Sequence, residues 1–209
     1  TGYMLGDIRG AFLMGDRTAD RSVKGNTLTL NQASGSDTVD AEKVDGASGT
    51  ADLYGYKSFS ADNYLSKAHT TDFDFGTGDF SIMFWVKFSE NSVYDVLLSR
   101  EYHTGSAYSG NGFQIETGGN NSIVLKNSSS ATLSSISGDS VSGQWRQIIF
   151  TRRSSNFYAY RDGVLVDGPD SNTTNFDNSN AVLEIGKRVG STSLIADKSS
   201  LSLVRLSAT

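Results

Sequence analysis

The sequence predicts an all-β protein built as two stacked antiparallel sheets, and three observations carry that prediction. Gly occurs 22 times and Pro once in 209 residues, and short β-branched or aromatic runs stand between clusters of Gly, Asn, Asp and Ser. No segment repeats its apolar residues at helical spacing. The run FSIMFWVKF at 80–88 places Phe80, Ile82, Phe84, Val86 and Phe88 on one face and Met83 and Trp85 on the other. An ordinary half-buried strand alternates apolar with polar, so two apolar faces mark a central strand whose second face is either covered or open to a ligand.

The remaining strands are read in order from the same signals. TLTLN (27–31), YKSFS (56–60) and YLSK (64–67) precede the central strand; DVLLSR (95–100), GFQIE (112–116), SIVLK (122–126) and ATLSS (131–135) follow it. QWRQIIFTRR (144–153) alternates Arg146, Ile148, Phe150 and Arg152 with Trp145, Gln147, Ile149, Thr151 and Arg153. YAYR and VLVD then flank Asp162-Gly163, a dipeptide that supplies the positive φ angles of a type I′ turn, which predicts a tight hairpin of 157–161 with 164–167. VLEI (182–185) and LSLVRL (201–206) complete the set. Many short strands at regular spacing predict one sandwich over 27–207 preceded by an opening segment, 1–26. The stretch DSNTTNFDNSN (170–180) reads as a polar loop anchored by Phe176.

Composition removes several functions. A net charge of −5 and scattered bases, adjacent only at Arg152-Arg153 and Lys187-Arg188, oppose a nucleic-acid surface. The absence of Cys excludes disulfides and thiolate metal sites. No apolar run approaches the roughly 20 residues of a membrane-spanning helix, so membrane insertion is not expected.

Catalytic patterns are also missing. Asp72 and Asp74 straddle Phe73 at a spacing of two, and with Asp79 they form an acidic cluster that offers general acid-base chemistry or a cation site. The simpler reading makes Phe73 and Phe75 core plugs, with Gly76 and Gly78 turning the chain and both carboxylates solvated. His69 and His103 have no nucleophile or metal motif near them and read as exposed loop residues; GTGDF (76–80) lacks the Lys and helix of a phosphate loop. The chain is therefore read as a non-enzyme. Ligand binding is placed first in the loop YHTGSAYSGN, where Tyr102, His103, Tyr108 and Asn111 combine rings, an imidazole and an amide, a mixture suited to sugars or simply to a soluble loop. The sheet face of Trp85 and Met83 is the second candidate, with Trp145 assigned to the core in preference to that face.

Three segments in order, YKSFSADNYLSKAHTTDFDFGTGDFSIMFWVKF, GQWRQIIFTRRSSNFYAYRDGVLVD and AVLEIGKR with LSLVRLS, closely resemble the laminin-G-like, concanavalin-A-like jelly rolls, which include pentraxin-type and legume-lectin-type sandwiches. The opening DIRGAFLMGDRTADRSVKGNTLTL is similar to the start of the same family. DIRGAFLMGD and LVRLSAT further resemble laminin-G-like modules of bacteriophage tail or fibre proteins. The resemblance implies a two-sheet antiparallel jelly-roll sandwich acting as a recognition or adhesion module, in a virion or extracellular setting. Its implied partners are a host-surface glycan or protein and other virion proteins, with homo-oligomeric display a further option. The alternatives are a polysaccharide-active enzyme or its carbohydrate-binding accessory, and an architectural virion decoration. Many relatives carry a calcium site; here Ser199 and Ser202 stand where they have Gly and Asp, leaving Asp16, Asp20 and Asn26 as the implied calcium ligands, or as loop residues bonding their own backbone. Arg205 falls in the family's terminal-strand motif, where a structural ion pair is expected.

Overall fold

Alternation decides which side chains meet, and in the computed structural model it produces two sheets whose inner faces form one core. The structure describes residues 7–12, 18–32, 40–43, 54–90, 93–138 and 143–208. The strands are β1 (Asp7–Phe12), β2 (Thr29–Asn31), β3 (Asp40–Lys43), β4 (Tyr54–Lys57), β5 (Tyr64–Lys67), β6 (Phe80–Phe88), β7 (Val96–Glu101), β8 (Phe113–Gly118), β9 (Ser122–Asn127), β10 (Thr132–Ile136), β11 (Arg146–Arg153), β12 (Asn156–Arg161), β13 (Val164–Ser171), β14 (Val182–Ile185) and β15 (Ser199–Ala208). Sheet A runs β13-β12-β11-β6-β15-β4-β3, with β1 also paired to β15; sheet B runs β10-β9-β8-β7-β14-β5-β2. Every described pairing is antiparallel, giving the jelly-roll sandwich that the sequence predicts.

The phenylalanine face of β6 points into the core, where Phe80, Ile82, Phe84, Val86 and Phe88 are each at most 1% exposed. Phe73 and Phe75 plug one end, Phe75 stacking on Phe80 at 4.8 Å, while Phe176 anchors its polar loop edge-on to Phe80, Phe113 and Phe157. The hairpin turn has φ of 50° at Asp162 and 81° at Gly163, as a type I′ turn requires. Two strands escape the sequence pattern. DIRGAF and DAEK lack apolar alternation, yet β1 pairs with the last strand and β3 lies at the sheet edge, so the opening segment contributes a strand to sheet A.

Two of the arginines at inner-face positions, Arg152 and Arg100, are fully buried. Arg152 is 1% exposed and is clamped by carbonyls: Nε donates to Gly78 O at 2.7 Å, Nη1 to Thr174 O at 2.5 Å, and Nη2 to Gly76 O at 2.7 Å and Phe75 O at 3.4 Å. Its guanidinium also lies within 5.1 to 5.8 Å of the Phe80, Phe157 and Phe176 ring centroids. Arg100, also 1% exposed, pairs with Asp74 and donates to Phe176 O at 2.7 Å. These two side chains tie the loops at 74–78 and 172–178 to the end of the sandwich.

Candidate functional site

The loop after β7 closes on itself. His103 and Tyr108 form an antiparallel bridge with their rings edge-to-face at 4.8 Å. The Tyr108 hydroxyl donates to Val189 O at 3.0 Å, and its ring is covered by the Arg188 guanidinium at 3.6 Å. Arg188 forks onto buried Glu101, at 2.8 Å from Nε and 3.0 Å from Nη2. Burial pushes the Glu101 carboxyl up, and Arg188 opposes that shift. The structure thus joins His103 and Tyr108 but spends the Tyr108 face and hydroxyl on internal contacts. His103 is half-buried, not an exposed loop residue. Asn111 turns away to donate to Asp177 O at 3.3 Å, and the Tyr102 ring is half-exposed beside them.

The outward face of sheet A has a different character. Met83 and Trp85 are half-buried and stand outside the core cluster, and so does Trp145, which corrects its assignment to the core. Lys87 Nζ sits 5.4 Å from the Trp145 ring centroid, and a Cβ at Gly55 would come within 2.7 Å of the indole, so Gly55 is what lets the ring lie on the β4 backbone. Register lines up Leu165, Tyr160, Ile149, Met83 and Arg205 across five adjacent strands, with Trp85 in the next row between Gln147 and Ser202. At about 4.8 Å per strand, the first row is about 19 Å long. Leu165 is 49% exposed, and Ile149, Tyr158 and Tyr160 are half-buried. The β15 side of this face is covered: Ser200, Ser202 and Ser207 take outward positions yet are at most 6% exposed, so the accessible part lies over β6, β11, β12 and β13.

The acidic cluster separates. Asp72 accepts from Asn26 Nδ2 at 2.9 Å, whereas Asp74 pairs with Arg100 and lies 3.1 Å from His69 Nε2. Burial opposes ionisation of Asp74, but His69, the Asn178 N–H and Arg100 together hold its carboxyl below the usual range. Neither carboxylate is simply solvated, and they do not face a common substrate position; Asp79 caps the Ser154 N–H at 2.8 Å.

For calcium, Asp16 lies outside the described residues. Asp20 accepts from Ala11 N at 2.9 Å and Ser22 N at 2.8 Å through Oδ1, and from Ser22 Oγ at 2.7 Å and Asn26 N at 2.6 Å through Oδ2. Those four bonds fill the roughly four lone-pair positions of a carboxylate. They outweigh the burial that opposes ionisation and hold its pKa down. Asn26 turns its amide nitrogen to Arg9 O and Asp72. Asp20 and Asn26 therefore fit loop punctuation and do not fit a cation as they stand. A chelator is expected to leave the melting midpoint unchanged to within about 1 °C, and a larger fall would restore the calcium reading.

A family model described as Laminin_G_3, concanavalin A-like lectin/glucanases superfamily, matches residues 59–197. The chain belongs to this family. No curated protein sequence matches the chain. Among solved structures, this concanavalin A-like chain is similar to domain 4 of AbnA, a GH43 extracellular arabinanase from Geobacillus stearothermophilus, in complex with arabinotriose. That match has a TM-score of 0.63 and 14% identity, over 97% of this chain and 94% of that one. It is also similar to the binding domain of botulinum neurotoxin DC in complex with SialylT, with a TM-score of 0.59 and 14% identity, over 96% of this chain and 48% of that one. A third match is the same toxin binding domain in complex with rat synaptotagmin II, with a TM-score of 0.57 and 13% identity over the same shares. The chain spans about half the length of those toxin domains, and at such identities the likeness is one of fold. The family match ends at residue 197, before β15 and Arg205.

Proposed function

We propose that this concanavalin A-like chain is a non-catalytic glycan-recognition module. One observation carries the reading: Trp85, with Tyr158 and Tyr160, lies partly exposed on the outward face of sheet A instead of in the core. A sugar's apolar C–H face stacks on such rings while Gln147, beside Trp85, supplies a polar contact. The pair Asp72 and Asp74 does not offer joint acid-base chemistry, because the two are committed to separate internal partners. The resemblance of the first and last strands to phage tail and fibre modules supports display on a virion or another extracellular surface, where repetition raises the effective concentration of weak sites. A second reading, the carbohydrate-binding accessory of a polysaccharide-degrading enzyme, is favoured by the likeness to an arabinanase domain crystallised with arabinotriose.

The Trp85→Ala variant is expected to bind a glycan-array ligand of the parent at least about tenfold more weakly, the loss of one buried aromatic anchor. Tyr102→Ala is expected to leave that binding unchanged. A parent that binds no glycan sinks the proposal, and loss confined to Tyr102→Ala moves the site back to the loop. Polysaccharide breakdown abolished by Asp72→Ala overturns the non-catalytic reading.

A further inference from the structure

The terminal strand carries an irregularity placed where it changes the chemistry of this face. Ser202 pairs with Trp85, but the next pairing is Arg205 with Met83, so one extra residue is inserted between them. Leu203 takes φ of 49°, a left-handed conformation that costs a bulky residue about 1 kcal/mol or more. Without the insertion, residue 204 would stand opposite Met83 and Arg205 would turn inward. With it, Val204 is 1% exposed in the core and Arg205 takes a half-buried outward position, between the buried Ser202 and Ser207 of its own strand and beside Met83 of β6. Bulges re-aim side chains in this way next to binding sites.

Arg205 therefore ends the apolar row of Leu165, Tyr160, Ile149 and Met83. No acidic side chain among the described residues pairs with it, which corrects the expected structural ion pair. The surrounding charge is one-sided. In a chain of net charge −5, the outward positions of β6, β11, β12 and β15 hold Lys87, Arg153 and Arg205 and no Asp or Glu. At the rim, Asp162 is engaged by Arg146 at 3.1 Å and Asp79 by the Ser154 N–H.

We infer that the outward face of sheet A binds a carboxylate-bearing oligosaccharide, its sugar faces on the Trp85 and Tyr160 side and its carboxylate on Arg205. A guanidinium presents parallel N–H donors that match a carboxylate, and the absence of a competing acid leaves them available. The inference rests on the glycan reading and adds the charge of the ligand.

The test is calorimetric binding by the full chain of tetragalacturonate and sialyllactose, each beside its carboxyl-reduced counterpart. At least one acid form is expected to bind roughly tenfold or more tightly than its reduced partner, the range of a charge-assisted hydrogen bond. Arg205→Gln is expected to erase that preference, and Arg205→Lys to keep part of it. Equal binding of acid and reduced forms overturns the inference while leaving glycan recognition intact, and needs no variant to fold. Binding of neutral array glycans alone does the same. Failure to bind any glycan, here and on the array, removes both readings. A dimer in sedimentation that dissociates in Trp85→Ala assigns the face to a second copy of the chain and overturns it as well.

Discussion

Replacing Arg152 with Leu is expected to cost the fold about 3–5 kcal/mol, read as a fall in the urea midpoint with an unchanged slope. The side chain is 1% exposed, and its four donor contacts end on the carbonyls of Phe75, Gly76, Gly78 and Thr174. These carbonyls belong to two loops joined directly by one backbone bond, Phe176 N–H to Gly76 O at 2.9 Å, and the guanidinium supplies the rest of the link. Leu fills much of the volume but takes away the donors of Gly78 O and Thr174 O, whereas Phe75 O and Gly76 O keep the Gly78 and Phe176 N–H groups; each unpaired buried acceptor costs about 1–3 kcal/mol. Its own ionisation is disfavoured by burial and supported at a distance by Asp79 and Asp177. Lys is expected to recover only part of the loss, because one ammonium cannot meet four carbonyls in fork geometry. Against a typical domain stability of about 5–15 kcal/mol, the Leu variant is near the threshold of folding. A loss below about 1 kcal/mol for Leu would show that water or loop movement satisfies the carbonyls instead.

The parts of this fold that were legible in the sequence are those where alternation is uninterrupted. FSIMFWVKF announces its core face through five large apolar residues, and Asp162-Gly163 announces a hairpin through its positive φ requirement. LSLVRL shows the limit. Regular alternation puts Leu201, Leu203 and Arg205 on one face, whereas the bulge at Leu203 gives the core Leu201, Val204 and Leu206 and turns Arg205 outward. A bulge is fixed by neighbouring strands, and β1 and β4 meet β15 on either side of it. β1 itself was hidden because DIRGAF lacks apolar alternation. The rim cluster failed as a site for a similar reason: Tyr108 and His103 are sugar-binding residue types, but Arg188 and Val189, some eighty positions away, already claim the Tyr108 ring and hydroxyl. Residue type was readable; the occupancy of each residue was not.

Glu184 should make the protein lose stability as pH rises from the acid side, by up to about 3 kcal/mol from this group alone. It occupies an outward position of β14, between Ser99 and Ser66, and is 8% exposed. Its Oε2 has no hydrogen-bond partner, and Lys187, 3.8 Å away, is shared with the Tyr64 ring and Ala61 O. Burial therefore dominates and pushes the carboxyl from 4.5 to about 7, with Lys187 only partly offsetting it. The sign follows from which state holds the proton. Below 4.5 folded and unfolded chains are both protonated and the full stability is present; between 4.5 and about 7 only the folded chain keeps the proton, so stability is lost through that window and levels off above it. Asp20 and Asp74, whose carboxyls are held low, act in the opposite direction at more acid pH, so the contribution of Glu184 is best read as a difference between two proteins. Glu184→Gln mimics the protonated form and keeps the shape. It should match the parent at about pH 4, exceed it by up to about 3 kcal/mol at about pH 8, and show a flatter curve between. Parallel curves for parent and variant across that window would mean that Glu184 ionises freely in the fold, and that Lys187 rather than burial governs it.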